Sequence, residues 1–185
     1  MDERTAPLLA LVEAFRAADP TQQEHKRALL SLLRNTTAPF SRDQYDPGHV
    51  TASAFVLSPD HDCLLLIRHR KLNAWLQPGG HVEIGENDLC LTAAREAIEE
   101  TGLKQLHPLR QGDLLDIDVH AIPAHRTTPA HQHFDVRFLF EAGSMDLQAQ
   151  TAEVDAVRWV PRLEIERFTG DESVLRTSRR IANGR

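Results

Sequence analysis

At 185 residues, 41% of them hydrophobic and 26% charged, the chain is long enough for one domain with a real core. A formal net charge of −6 argues against a surface built to hold a nucleic-acid polymer, although a nucleotide can still bind where cations neutralise its phosphates. Two cysteines without metal-site spacing, Cys63 and Cys90, read as core filling in a reducing compartment. With no signal-peptide pattern and no apolar run near the roughly 18 residues of a membrane span, a soluble cytoplasmic protein is expected.

In chain order, residues 5–36 read as two helices. Leu8, Leu11, Val12 and Phe15 form one apolar stripe, Ala28, Leu29, Leu32 and Leu33 a second, and Asp19-Pro20-Thr21 the break between them. Pro39, Pro47 and Gly48 mark the passage onward, so a helical extension (residues 1–40) is expected before a main domain (residues 41–185). That extension either covers a sheet face or contacts a second copy of the chain, which leaves a homodimer open. Residues 50–58 read as a strand, 59–62 as a turn, and the apolar run 63–67 as a strand buried on both faces. Further strands are expected at 114–120, 131–141 and 154–160, a loop at 123–129, and helices at 162–168 and 171–181. In the strand at 131–141, Phe134, Val136, Phe138 and Phe140 alternate with His131, His133, Asp135 and Arg137. Such an order implies an α/β class, with a mixed sheet in an α/β/α sandwich.

The chemistry concentrates at Arg95-Glu96-Ala97-Ile98-Glu99-Glu100. On a helix, Glu96, Glu99 and Glu100 share a stripe, while Leu91, Ala94 and Ile98 point the other way, toward a core. Most acidic stripes are simply solvated. Here, however, Pro78-Gly79-Gly80 supplies a turn where carbonyls can approach an ion, and Arg95 can hold a carboxylate with a forked hydrogen bond. Like charges at this spacing repel, and hard divalent cations with their preference for oxygen ligands are the natural offset.

The segment resembles the Nudix signature: Gly, five residues, Glu, seven residues, Arg-Glu, an apolar residue, any residue, Glu-Glu, any residue, Gly, apolar. Gly80 and Glu86 match its first spacing; Arg95, Glu96, Ala97, Glu99, Glu100, Gly102 and Leu103 match its second half. One departure is an eighth residue between Glu86 and Arg95, which puts the position of Glu86 in question and points to Asn87 or Asp88 as a helix N-cap. The resemblance implies a Nudix hydrolase and the Nudix sandwich fold. Its expected reaction is water attack on a diphosphate linked to a further group, as in a nucleotide sugar or nucleoside triphosphate, with Mg2+ or Mn2+ as cofactor. By the same pattern Glu96, Glu99, Glu100 and the Gly79 carbonyl would be metal ligands, with Glu86 a weaker one. Arg95 would orient Glu96. The general base would be a box glutamate (Glu99 or Glu100) or a later acid, for which Glu153 is the candidate.

Flanking residues are open to several readings. His131 and His133, two apart on a strand, face water in the ordinary reading; a zinc site or a substrate phosphate contact are the alternatives. His81 and Arg68 join them as candidate substrate contacts, whereas His49 and His69 read as structural. No motif selects among ADP-ribose, NADH, coenzyme A and dinucleoside polyphosphates. Two other functions compete: an isopentenyl diphosphate isomerase-like enzyme, which would need a cleft-facing Cys with a Glu, and a catalytically silent nucleotide-binding module, expected to have lost its box acids.

Overall fold

The computed structural model describes residues 2–149 and 154–184. It opens with α1 (Thr5–Ala14) and α2 (Pro20–Asn35). Asp19 caps α2 by accepting from the Gln22 amide at 2.9 Å, and Pro20 sits in the first turn, where a missing N–H matters least. Leu8, Val12, Phe15, Leu29, Leu32 and Leu33 are all buried in one cluster with the sheet. The extension therefore covers a sheet face.

The sheet has eight strands: β1 (Gly48–Leu57), β2 (Cys63–His69), β3 (Ala74–Leu76), β4 (Gly79–His81), β5 (Leu106–Pro108), β6 (Asp116–Ile122), β7 (His131–Ala142) and β8 (Val154–Pro161). It is mixed, because β1 and β7 run parallel from Gly48↔Gln132 to Leu57↔Glu141 while the other pairings are antiparallel. Helix α3 (Leu89–Thr101) shares the α1–α2 face. On the opposite face α4 (Ile165–Phe168) and α5 (Glu172–Ala182) bury Ile165, Val174 and Leu175 against Phe55, Leu57, Leu66 and Leu139. This is the expected α/β/α sandwich. Among the described residues no helix is long and apolar enough to cross a membrane.

Two expectations need correction. In α3 the buried stripe is Leu89, Thr92, Ala93, Ala97, Glu100 and Thr101, and Leu91 is 66% exposed. Small side chains at 93 and 97 let the helix lie close against the sheet, so size rather than hydrophobicity chose the inner face. The second concerns β7, whose polar side does not face water: His131, Asp135 and Arg137 are buried.

A charge network explains how that burial is tolerated. Arg137 Nε donates to Asp135 at 2.9 Å, and its other nitrogens lie 3.3 Å from Asp118 and 3.7 Å from Asp116. Arg176 reaches Asp116 at 3.0 Å and Asp118 at 2.9 Å, while Gln22 of α2 donates to Asp116 at 2.8 Å. Buried charges persist only when paired and hydrogen-bonded; here the pairing also fastens α2 and α5 to the sheet.

Candidate active site

Register pairs Thr51 with His81, Ala52 with Gly80 and Ser53 with Gly79, so Gly80 and His81 look toward opposite faces of the sheet. The double glycine is a strand rather than the expected turn. Close approach is what demands glycine: a β-carbon at position 80 would stand 2.5 Å from Glu96 Oε1, and one at position 79 would collide with Ser53. The Gly79 amide donates to Glu100 Oε2 at 3.1 Å.

Beyond Gly80, α3 begins at an Asp88 cap, whose carboxylate accepts from the amides of Cys90 and Leu91, and ends at Gly102 in the left-handed region (φ 74°). Arg95 is the hub of the acids. Its forked bond goes to Glu86 (2.6 and 3.2 Å). Single bonds of 3.1 Å then reach Glu96, Glu99 and the His81 carbonyl. The extra residue before the helix therefore leaves Glu86 joined to Arg95, and Thr92 also donates to it.

Electrostatics follow from this layout. Burial works against the charged form of Glu86, yet hydrogen bonds from Arg95, the Glu83 amide and Thr92 hold its carboxyl below the usual range. Glu96 goes the other way: burial raises it, with Glu99 and Glu86 adding repulsion that Arg95 only partly offsets. The Arg95 guanidinium is raised in turn, first by its bond to Glu86. Glu100 is buried, whereas the Glu99 side chain is 52% exposed at the outer edge.

On the other side of β4 lies a histidine cluster. The His49 ring sits 5.1 Å from His81, 5.0 Å from His131 and 4.8 Å from His133; His133 is also 5.2 Å from His81 and 5.6 Å from His120. His131 and His133 are thus brought together with His81. His49, read as structural, is in the middle, and His120 was missed. A signal was present in β1, where His49, Thr51 and Ser53 interrupt an apolar strand at every second position.

Asp135 accepts from Thr51 at 3.1 Å and Ser53 at 2.8 Å, joining the cluster to the charge network. Arg68 is exposed on β2, where it donates to Asn73 at 2.8 Å, and no described contact joins it to the acids or the histidines. Glu153 lies outside the described residues. Both cysteines are free thiols at intermediate burial; burial raises Cys63 and pushes Cys90 up to about 12.

A helix of acids docked on a glycine strand, inside this sandwich, defines a hydrolase of phosphoric anhydrides, and comparison with known proteins agrees. The NUDIX domain model matches residues 47–180, and the chain belongs to the Nudix family. It is 35% identical over 135 residues, 71% of this chain and 74% of the relative, to a probable DHNTP pyrophosphohydrolase of Lactococcus lactis. It is 39% identical over 75 residues to a Xenopus laevis protein called nucleoside diphosphate-linked moiety X motif 6, a match covering 35% of this chain and 34% of that one. Among solved structures, a Nudix hydrolase from Clostridium perfringens superposes with a TM-score of 0.53 at 24% identity, over 74% of this chain and 98% of that one.

Proposed function

We propose that the chain hydrolyses, with Mg2+ or Mn2+, the diphosphate linkage of a nucleotide-type substrate bearing a phosphate chain. The triphosphate named for the Lactococcus relative is the first candidate. The observation that carries this reading is the gathering of Glu86, Glu96 and Glu99 around Arg95, with Glu96 against Gly80 and Glu100 on the Gly79 amide.

The residues fit a hard dication by the chemistry of their donors. Carboxylate and carbonyl oxygens are the ligands such ions take. Glu96 is half-buried with its charge under-compensated, so added positive charge is favourable there, and the bare Gly80 leaves its carboxylate in direct contact with the backbone. Glu96, Glu99, Glu100 and the Gly79 carbonyl would hold the ion, with Glu86 anchoring Arg95 behind them. When bound, the ion supplies charge stabilisation for diphosphate oxygens and acidifies a water nucleophile.

The chain's own groups do the rest. Glu99, at the open edge, accepts the proton of the attacking water as its oxygen bonds to phosphorus and the anhydride P–O bond breaks; Glu153 is the alternative base. Arg95 keeps the acids in register. His81, His131 and His133 lie across β4 from the acids, where they contact the rest of the substrate. The thiols do not favour isomerase chemistry, since burial holds both cysteines protonated.

A test is to incubate the chain with Mg2+ and a panel of DHNTP, nucleoside triphosphates and nucleotide sugars in 18O-water, with products identified by mass. Hydrolysis with one 18O entering a phosphate product is expected; isomerised but intact diphosphate, or no turnover on any member, would refute it.

A further inference from the structure

We propose that His49, His131 and His133 form a second cation site, for a transition-metal dication of the zinc class, distinct from the acids of α3. Among the described residues, the set of His, Cys, Asp or Glu ligand atoms lying within 4.8 Å of one another is this trio; the box acids do not form such a set. Zinc–nitrogen bonds of about 2.0–2.1 Å separate tetrahedral nitrogens by roughly 3.4 Å, so about an ångström of ring movement closes the site.

Tautomer chemistry gives an independent argument. A carbonyl oxygen only accepts, so a ring nitrogen facing one carries the proton. Nδ1 of His49 faces the Gln44 carbonyl at 3.0 Å, and Nδ1 of His131 faces the Pro129 carbonyl at 2.8 Å. Each ring therefore turns the lone pair of Nε2 the other way. At His49, which is 1% exposed, that Nε2 is buried without a hydrogen-bond partner. Imidazoles backed by carbonyls, with the opposite nitrogen free, are the outer-shell arrangement of histidine ligands. Such an orphaned lone pair is what a metal ion would satisfy.

The donor set selects the ion. Three imidazole nitrogens suit zinc, copper or nickel rather than magnesium. Two carboxylates on the same face are engaged elsewhere, Asp135 by Thr51, Ser53 and Arg137, and Asp118 by His120 and Arg176. Three protein ligands would leave a fourth tetrahedral position, the pattern of exchangeable zinc sites, and the His81 ring packs within 5.1 Å of His49 and 5.2 Å of His133. Since His49 and His133 are partners in the parallel β1–β7 register, the ion would clamp the start of both strands.

This inference does not rest on the hydrolase reading, and its test needs no turnover. Chelator-treated full-length chain is titrated with Co2+, followed by visible absorption, and then with Zn2+. About one Co2+ per chain is expected, with the strong visible band of four-coordinate nitrogen ligation, displaced by Zn2+. H131Q and H133Q should each weaken the binding that gives this band by about 100-fold or more, while E96Q with E100Q should keep the band. X-ray absorption of the zinc-loaded parent covers the case of misfolded variants: a shell of at least three imidazoles supports the site. No band in the parent, an oxygen-only shell, folded histidine variants that keep the band, or loss of the band in the glutamate variant would overturn it.

Discussion

The carboxylate of Glu96 rests on the bare α-carbon of Gly80, so near that a β-carbon there would stand 2.5 Å from Oε1. Glu96 also takes a 3.1 Å bond from Arg95, so it cannot retreat without breaking that contact. G80A should therefore displace Glu96 while leaving β4 paired. Misplacing a catalytic group by about an ångström can cost roughly 100-fold in rate. Turnover should fall by about that factor with a melting temperature within a few degrees of the parent, measured by steady-state kinetics and calorimetry on one preparation.

Arg95 is forked on Glu86 and singly bonded to Glu96, Glu99 and the His81 carbonyl. Lysine keeps the charge and loses the fork. R95K should lower kcat by about 10-fold or more and destabilise by about 1–2 kcal/mol, discounted for the partial exposure of the site. Denaturant unfolding gives the second number; an unchanged kcat would show that the acids need no such hub.

The charge network predicts a pH dependence. Burial alone would raise Asp118, but His120, Arg137 and Arg176 more than compensate, and its folded pKa is depressed. Its contribution to stability is therefore complete above the ordinary carboxylate pKa of about 3.9 and is lost as pH falls toward the folded value, because the unfolded chain takes up the proton first. The urea midpoint should drop as the medium is acidified below about pH 4, and D118N should show a shallower drop across that interval. Equal slopes would assign the acid sensitivity to other groups.

Helices α1 and α2 were legible from their apolar stripes, β7 from its alternation and β2 from its unbroken apolar run. The three-residue strands β3, β4 and β5 were not, since so short a segment carries no period and β4 is largely glycine. The acid stripe and Arg95 were legible from helical spacing; the fork on Glu86 was not, because it joins a loop to a helix. The histidine cluster depends on the pairing of His49 with His133 across parallel strands far apart in the chain, which no local pattern reports.

The inner face of α3 was misread for a related reason, and the correction can be checked. Ala93 is fully buried and Leu91 mostly exposed. A93L should destabilise by about 1–3 kcal/mol through overpacking, whereas L91S should stay within about 0.5 kcal/mol of the parent. The reverse order in denaturant unfolding would restore the original assignment of the core face.

Most directly, Mg2+-dependent turnover of DHNTP should be compared between the parent and E99Q with E100Q. Glutamine keeps the shape of each side chain, and an amide oxygen at position 100 can still accept from the Gly79 amide. The account predicts a loss of at least about 100-fold with far-UV dichroism and melting temperature unchanged. Turnover within about twofold of the parent in that folded variant would contradict it.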